Sequence, residues 1–146
     1  MRLDHKNGNQ FLCETPPEEN TTVPALVIFD DDTTLKWLRP LRPGFRHCFV
    51  AISRGDHWII CNPFSHYTDL EVVHGTTAAA MAEWFCHHGL RVVETVARTP
   101  PPRCAPLRPF TCVEVVKRTL GLRAPWVFTP RQLHRHLIQI AGQGHN

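Results

Sequence analysis

The chain contains 146 residues, of which 42% are hydrophobic and 20% are charged, a balance typical of a folded domain and not of a disordered chain. Its formal net charge of +3 is small and scattered along the sequence, so it does not indicate a nucleic-acid partner. No apolar run approaches the ~18 residues of a membrane span, and the polar first residues do not resemble a signal peptide. We therefore expect a protein made and folded in the cytoplasm.

The first part of the chain divides into a polar arm and the start of a domain. Met1–Thr22 is polar and predicts a loosely held N-terminal arm, followed by a single domain over residues 23–146. Ala25–Phe29 (ALVIF) predicts a short buried strand, which ends where a run of acidic residues begins. Leu35–Leu38 predicts one helical turn, which the prolines that follow interrupt.

A β-hairpin is the clearest element of the chain. Arg46–Ile52 and His57–Asn62 are strand-like, and Arg54-Gly55 stands where a tight turn is needed. With the turn centred there, position 52 pairs with 57 and position 47 pairs with 62. Both faces are largely apolar, which predicts a hairpin in the middle of a covered sheet. One face carries His47, Phe49, Ala51, Trp58, Ile60 and Asn62, and the other carries Cys48, Val50, Ile52, His57, Ile59 and Cys61.

The rest of the chain alternates between strand-like and helical patterns. The predicted elements are a strand at Leu70–Val73, a helix at Thr77–His87, a strand at Leu90–Ala97, a proline-rich connector at Thr99–Pro109 and a final helix that begins after Thr129 and continues through Leu133 and Leu137 to Ile140. Gly89 is suited to end the first of these helices. Thr129-Pro130-Arg131-Gln132 is a capping box with proline at the first helical position.

Between the connector and the final helix, Pro109–Leu122 (PFTCVEVVKRTLGL) predicts a helix that begins at a cysteine. Thr111 and Glu114 form a capping box, so the helix begins at Cys112. A thiol there faces unpaired backbone N–H groups and the positive end of the helix dipole, which lowers its pKa and favours the thiolate. The same N–H groups are able to hold a developing oxyanion. Cys112 is therefore a candidate nucleophile; the alternative is a small core residue at a helix start. The buried stripe of this helix is predicted to be Val113, Val116 and Leu120, with Gly121 after its end.

His47 and Asn62 are predicted to be direct cross-strand neighbours on one face of the hairpin. An imidazole with a paired amide is what a cysteine nucleophile requires, because the imidazole takes the thiol proton and the amide fixes its tautomer. An asparagine on an otherwise apolar face is costly unless it is hydrogen-bonded, so Asn62 is expected to have a partner. The alternative is a pair of satisfied polar core residues.

At these residues the sequence resembles the circularly permuted NlpC-type, papain-like cysteine hydrolases. The histidine strand, the asparagine strand and the cysteine helix come in the permuted order, and RHCFVAI, FTCVEVVKRTLGL and WVFTPRQLHRHL resemble small proteins of bacteriophages and prophages. The resemblance covers roughly Gly44–Leu137. It implies an α+β fold, in which the cysteine helix packs on an antiparallel sheet.

The resemblance also implies a reaction and a site. Amide or ester bonds would be hydrolysed through a thioester, with Cys112 as nucleophile, His47 as base and Asn62 as the residue that orients it. The third residue of such triads varies, so His57 and Asp56 stay open as alternatives to Asn62. Peptidoglycan cross-links, other amides and lipid esters all suit this triad, and it needs no metal or cofactor.

The sequence also leaves two other functions open. ALVIFDDDTTL matches the hhhhDxDxT loop of haloacid-dehalogenase-like phosphatases, with Asp30 as nucleophile and Asp32 as acid/base. Such phosphatases also need a downstream acidic pair to bind magnesium and a Rossmann-like alternation of strands and helices, and the sequence after this loop shows neither. The simpler interpretation is a solvated acidic turn. The other function is a non-catalytic adaptor on the same fold, associated with a virion and docked on other phage or bacterial structural proteins.

The six cysteines and ten histidines do not have the spacing of a metal site. The chain has no CxxC pair, and Cys86-His87-His88 lacks a matching second pair of ligands. The sequence therefore predicts neither a structural metal nor a redox motif. The cysteines are Cys13, Cys48, Cys61, Cys86, Cys104 and Cys112.

Overall fold

A five-stranded sheet in the order β4-β3-β2-β1-β5 organises the described part of the protein, and every neighbouring pair of strands is antiparallel. The computed structural model describes residues 22–31, 43–100 and 108–143. Within them the elements are β1 (Thr22–Asp30), β2 (His47–Arg54), β3 (His57–Pro63), β4 (Thr68–His74), α1 (Ala78–His87), β5 (Arg91–Arg98), α2 (Cys112–Thr119) and α3 (Pro130–Gln143). The predicted α+β class with an antiparallel sheet is confirmed.

Each strand and long helix expected in these ranges is present, with ends that differ from the prediction by at most three residues. Thr77 caps α1 by accepting a hydrogen bond from the backbone N–H of Ala80 at 3.2 Å. At α3 the cap is reciprocal: Gln132 N–H donates to Thr129 Oγ1 at 3.3 Å, and Thr129 N–H donates to Gln132 Oε1 at 3.0 Å. Local capping chemistry therefore sets where these helices begin.

The register of the β2–β3 hairpin differs from the prediction by two residues. Arg54 pairs with His57 and Val50 with Cys61, so the loop is Gly55-Asp56, with Gly55 at a φ of 65°, and not Arg54-Gly55. The same register, continued, places position 47 opposite 64 and position 49 opposite 62, so His47 and Asn62 are not directly opposite as expected. Because side chains alternate with a period of two, a shift of two leaves every residue on its predicted face.

Both faces of the sheet carry an apolar core. Helices α2 and α3 pack on one face, and α1 packs on the other, against β1 and β5. The predicted division of the hairpin into two apolar faces is confirmed. The core under α2 and α3 contains Ala25, Val27, Phe29, Cys48, Val50, Val93, Ala97, Val113, Val116, Leu120, Ala124, Val127, Leu133 and Leu137. The core under α1 contains Leu26, Ile28, Phe49, Ala51, Trp58, Met81 and Phe85.

The end of α2 is fixed against the end of β5. The backbone N–H of Arg98 donates to the carbonyl oxygen of Leu120 at 3.1 Å. Gly121 follows with a φ of 66°, and a Cβ atom at this position would overlap the carbonyl oxygen of Arg98. Only glycine suits this position, because it needs both the left-handed conformation and the absence of a side chain.

A buried lysine ties the other side of α2 to the segment that leads into α3. The side chain of Lys117 is 5% exposed, and its Nζ lies 3.0 Å from Glu114 Oε2. The same ammonium donates to the carbonyl oxygens of Ala124 at 3.2 Å and Val127 at 2.9 Å. Its three N–H donors are thus all used, which is the condition for burying a charge at acceptable cost.

Several expectations lie outside the described residues. They are the polar arm Met1–Thr22 apart from Thr22, the helical turn Leu35–Leu38, the acid Asp32 and most of the connector Thr99–Pro109. In the described ranges, none of the helices is both long enough and apolar enough for a membrane span.

Candidate active site

Cys112 is the first residue of α2, as predicted. Thr111 has extended backbone angles, and its hydroxyl oxygen accepts a hydrogen bond from the backbone N–H of Glu114 at 3.2 Å. The first N–H groups of a helix have no carbonyl partner within it, so those of Cys112 and Val113 point out of the helix start beside the thiol. The carboxylate of Glu114 lies 3.0 Å from both Lys117 Nζ and Arg118 Nε, so only the Thr111 half of the predicted box is formed by side chains.

His47 is held by an amide on the neighbouring strand. Its Nε2 lies 2.7 Å from Oδ1 of Asn62, and both side chains are half-buried. Since a carbonyl oxygen only accepts, Nε2 carries the proton and donates it, and this leaves the lone pair of the neutral imidazole on Nδ1. The hydrogen bond therefore fixes the tautomer in which Nδ1 is the base.

The imidazole also lies in a stack of aromatic rings. The ring of Phe64 is nearly parallel to it, at 5.6 Å and 15°, and the ring of Phe49 lies at 6.3 Å and 28°. Tyr67 stacks in turn on Phe64 at 4.8 Å. These contacts restrict rotation of the imidazole about its side-chain bonds and remove water from its faces.

The sulfur of Cys112 interacts with two consecutive residues at the start of β2. Hydrogen bonding with the Cys48 thiol is the largest influence on the pKa of Cys112 and lowers it. Burial acts in the opposite direction, but hydrogen bonding to His47, the positive charge of that imidazole and the backbone N–H of Cys48 all favour the thiolate. Together they lower the pKa of Cys112 to about 5.

The pKa of His47 moves the other way. Burial disfavours the charged imidazole, yet hydrogen bonds to Cys112 and Asn62 and the negative charges of Cys112 and Asp30 outweigh it, so the pKa of His47 is raised. Between about pH 5 and the raised pKa of the imidazole, the pair is therefore a thiolate and an imidazolium. Two neighbouring groups whose pKa values are pushed apart in this way are suited to act as nucleophile and acid.

The two alternatives for the third residue lie away from this site. Asp56 and His57 stand at the turn end of β3, where Asp56 Oδ1 and His57 Nδ1 pair with each other at 3.0 Å. Asn62 lies five positions along the strand from His57, which corresponds to about 17 Å. The structure thus brings Cys112, His47 and Asn62 together and leaves the exposed Asp56–His57 pair at the other end of the hairpin.

The acidic run at the end of β1 has a structural role in the described residues. Asp31 Oδ1 accepts a hydrogen bond from the backbone N–H of Gly44 at 2.8 Å and lies 3.2 Å from Arg46 Nη1. Asp30 pairs in register with His47, and its charge contributes to the raised pKa of that histidine. Asp32 is outside the described ranges, and within those ranges no three histidine, cysteine or acidic residues are grouped to hold a metal ion. The wholly antiparallel sheet also differs from the parallel sheet that a Rossmann-like phosphatase requires.

Sequence reasoning missed the contribution of Cys48 to the site. Its alternation in β2 puts it on the face opposite His47, so it is expected only as a core residue. No sequence signal indicates it, because the proximity depends on α2 packing on this same face of β2.

Comparison with known proteins yields no relative. The chain matches no protein-family model, and it has no significant match among curated proteins or solved structures.

Proposed function

We propose that this protein is a cysteine hydrolase of the permuted papain-like kind, which cleaves an amide or ester bond through a thioester. Cys112 is the nucleophile, His47 the base and acid, and Asn62 the residue that orients the imidazole. The observation that supports this best is the continuous interaction from the Cys112 sulfur through His47 to Asn62. An unused thiol in a core has no need of a depressed pKa or of an imidazole held in one tautomer.

In the first half of the reaction the enzyme becomes acylated. The Cys112 thiolate attacks the carbonyl carbon, a sulfur–carbon bond forms, and the π electrons of the carbonyl move onto its oxygen. The His47 imidazolium then gives its Nδ1 proton to the leaving nitrogen or oxygen as that bond breaks. The products are a free amine or alcohol and a thioester on Cys112.

In the second half, water releases the acyl group. Neutral His47 accepts a proton from water at Nδ1 while the water oxygen attacks the thioester carbonyl. The sulfur–carbon bond breaks, Cys112 leaves as a thiolate, and the imidazolium is restored. The Asn62 hydrogen bond keeps Nδ1 directed at the reacting atoms in both steps, which is where orientation contributes to the rate.

The start of α2 supplies electrostatic stabilisation for the oxyanion. Thr111 Oγ1 uses the N–H of Glu114, so the N–H groups of Cys112 and Val113 remain for the substrate oxygen. Donors fixed by a helix need no reorganisation when charge develops, and removal of one such donor in other enzymes costs about 10²–10³ in rate.

The order of the functional residues supports the permuted arrangement. His47 and Asn62 precede Cys112 in the chain, and an antiparallel sheet carries the histidine and asparagine while the cysteine helix packs on it. Because the reaction forms a thioester on Cys112, the substrate must carry an acyl group, and cell-wall peptide cross-links are the first class to test. A phage origin, and with it association with a virion and its structural proteins, belongs to the same proposal.

The test is hydrolysis of a panel of peptidoglycan fragments and acyl esters by the wild-type protein and by Cys112→Ala. We expect turnover of at least one amide or ester by the wild type and none by the variant. Thermal unfolding of both proteins is the control, and we expect the melting temperature to change by only a few degrees because one half-buried sulfur is removed.

The opposite result would support the adaptor. If no probe is turned over and Cys112→Ala unfolds the domain, the thiol is part of the core packing and the hydrolase proposal fails.

A further inference from the structure

Large aromatic side chains are exposed near the start of α2. Phe110, Trp126 and Phe128 are 65%, 64% and 64% exposed. In the described residues they are three of the four exposed tryptophan and phenylalanine side chains, and the fourth is Trp84 on α1. Single exposed apolar side chains need no explanation, but a group of them that lies together marks an interaction site.

Arg108 joins the two segments that carry these rings. Its Nη1 donates to the carbonyl oxygen of Pro125 at 2.8 Å, and its guanidinium carbon lies 5.5 Å from the centre of the Phe128 ring. Phe110 follows Arg108 by two residues and precedes Cys112 by two residues, so its Cα atom is at most about 7 Å from that of Cys112. The exposed rings therefore lie beside the candidate active site.

Trp126 extends this group onto α3. Its ring lies 6.4 Å from the imidazole of His136, at an angle of 86°. Ile140 lies one turn further along the same side of α3 and is 38% exposed. Val127, between the two rings, is buried in the core and anchors the segment that carries them. We call Arg108, Phe110, Trp126, Phe128 and Ile140 the aromatic surface.

Positive charge is concentrated in the same part of the chain. Residues 108–143 contain six of the sixteen lysines and arginines but one of the thirteen acids, although the whole chain carries only +3. That acid, Glu114, already pairs with Lys117 and Arg118. The other four cations of this part of the chain are therefore not balanced by an acid within it.

Two exposed arginines flank the rings. Arg123 stands three residues before Trp126, and Arg131 stands three residues after Phe128. Three residues of chain span at most about 11 Å, which is close to the distance of ~8 Å over which salt screens charges at physiological ionic strength. An anionic partner that contacts the rings is thus attracted by these cations and by Arg108.

Arginine beside exposed rings suits two kinds of partner, a nucleic acid or an anionic bilayer. Ile140 favours the bilayer, because an aliphatic side chain gains by leaving water for hydrocarbon but has no ring to stack on a base. Tryptophan is enriched where a membrane meets water, and lipid phosphates are acceptors that arginine binds well.

We propose that the aromatic surface docks this protein on a bilayer that contains anionic lipids. The rings and Ile140 insert at the level of the headgroups, and the arginines bind the lipid phosphates. This inference goes beyond the proposed hydrolase and does not depend on it. Docking in this way brings Cys112 close to the bilayer surface.

The experiment is sedimentation of the full-length protein with lipid vesicles. One set contains phosphatidylglycerol and phosphatidylethanolamine in equal parts, and the other contains phosphatidylcholine alone. We expect the protein to sediment with the anionic vesicles and much less with the neutral ones. Binding should weaken as salt is added, because exposed charges are then screened.

Four variants locate the docking surface. Trp126→Ala should lower the partition coefficient for anionic vesicles by about tenfold, whereas Trp126→Phe keeps a ring and should retain most of it. Arg108→Gln should lower it by about fivefold, since one cation is lost. Trp84→Ala is the matched control: Trp84 is 56% exposed but lies on α1, across the sheet, so binding should not change.

Thermal unfolding establishes that each variant is folded. Where Trp126→Ala fails to fold, Phe110→Ala removes another exposed ring of the same surface and gives the same comparison with Trp84→Ala. No sedimentation with anionic vesicles, or equal losses in the Trp84 and Trp126 variants, would overturn the inference.

A fluorescent oligothymidine of about 20 nucleotides tests the other partner. Binding to it that is tighter than binding to vesicles, and that Trp126→Ala abolishes, would assign the surface to nucleic acid and overturn the inference. Sedimentation needs no turnover, so the two proposals fail separately. Vesicle binding without any hydrolysis contradicts the hydrolase alone, whereas hydrolysis of a soluble ester without vesicle binding contradicts the docking alone.

Discussion

The imidazole of His47 donates to the side-chain oxygen of Asn62 across 2.7 Å, although the two residues are not directly opposite in the β2–β3 ladder. The bond runs diagonally between the strands, a separation that long side chains on the same face are able to bridge. Its effect is to fix Nε2 as the protonated nitrogen and to leave Nδ1 for Cys112. The function proposed for the protein depends on this tautomer.

Loss of the amide should therefore slow the reaction without unfolding the protein. We expect Asn62→Ala to lower kcat/KM for an acyl ester by roughly a hundredfold, because the imidazole loses its fixed orientation. His57→Ala, at the other end of the same strand, is the control and should leave the rate unchanged. Equal losses in both variants would mean that β3 itself, and not the amide, had been disturbed.

The depressed pKa of Cys112 predicts selective labelling in mildly acidic solution. The thiolate fraction rises as pH rises through about 5, so at pH 6.5 Cys112 is mostly ionised, whereas a thiol with an unperturbed pKa of about 8.5 is about 1% ionised. Iodoacetamide should then modify Cys112 before the exposed Cys86. In His47→Ala the advantage should shrink, since the positive charge and hydrogen bond of the imidazole are gone. An unchanged order of labelling in that variant would separate His47 from the ionisation of Cys112.

The close packing around Gly121 predicts that its substitution by alanine lowers the free energy of unfolding more than the same substitution at Gly89, which has a similar backbone conformation. Gly89 has a φ of 80° and open space around its missing Cβ, whereas at Gly121 the new Cβ would overlap the Arg98 carbonyl. Gly89→Ala should cost about 1 kcal/mol from the left-handed backbone alone. Gly121→Ala should cost roughly 2–5 kcal/mol, because steric overlap adds to the same strain. Urea unfolding of both variants tests this, and equal values would contradict the close approach of α2 to β5.

Lys117 and Arg118 both pair with Glu114, but we expect the buried Lys117 to contribute more to the free energy of unfolding than the exposed Arg118. Lys117→Met leaves the carbonyl oxygens of Ala124 and Val127 without a donor and should reduce the free energy of unfolding by about 2–4 kcal/mol. Arg118 is 53% exposed in the same cluster, and Arg118→Ala should cost less than about 1 kcal/mol. Chemical denaturation distinguishes the two; similar small losses would show that Lys117 is not a structural tie.

The parts of this fold that sequence predicts well are those set by local backbone chemistry. Thr111 and Gly121 mark the ends of α2 because a hydroxyl cap and a left-handed residue act on the neighbouring peptide groups. The hairpin register was wrong by two because glycine at 55 suits a turn centred on either side of it. The alternation of faces survived that error, and for this reason His47 and Asn62 were still brought together.

The parts that sequence does not predict depend on how distant elements pack. Cys112 packs against the core that contains Cys48 only because α2 lies over β2, and no pattern within either segment indicates it. The burial of Lys117 likewise depends on a distant segment, because the residues around Ala124 and Val127 cover it and supply its acceptors.

A cysteine hydrolase carries an acyl group on its nucleophile during turnover, and rapid-quench mass spectrometry with an activated acyl ester detects such a group on Cys112. We expect early samples to carry one acyl group on the Cys112 peptide, and ester consumption to continue well beyond one equivalent per protein as water releases it. In His47→Ala, acylation should slow and consumption should stop near one equivalent. Absence of an acyl group from Cys112, or an acyl group that remains there in the wild type without further turnover, would show that Cys112 is not the nucleophile of a hydrolase.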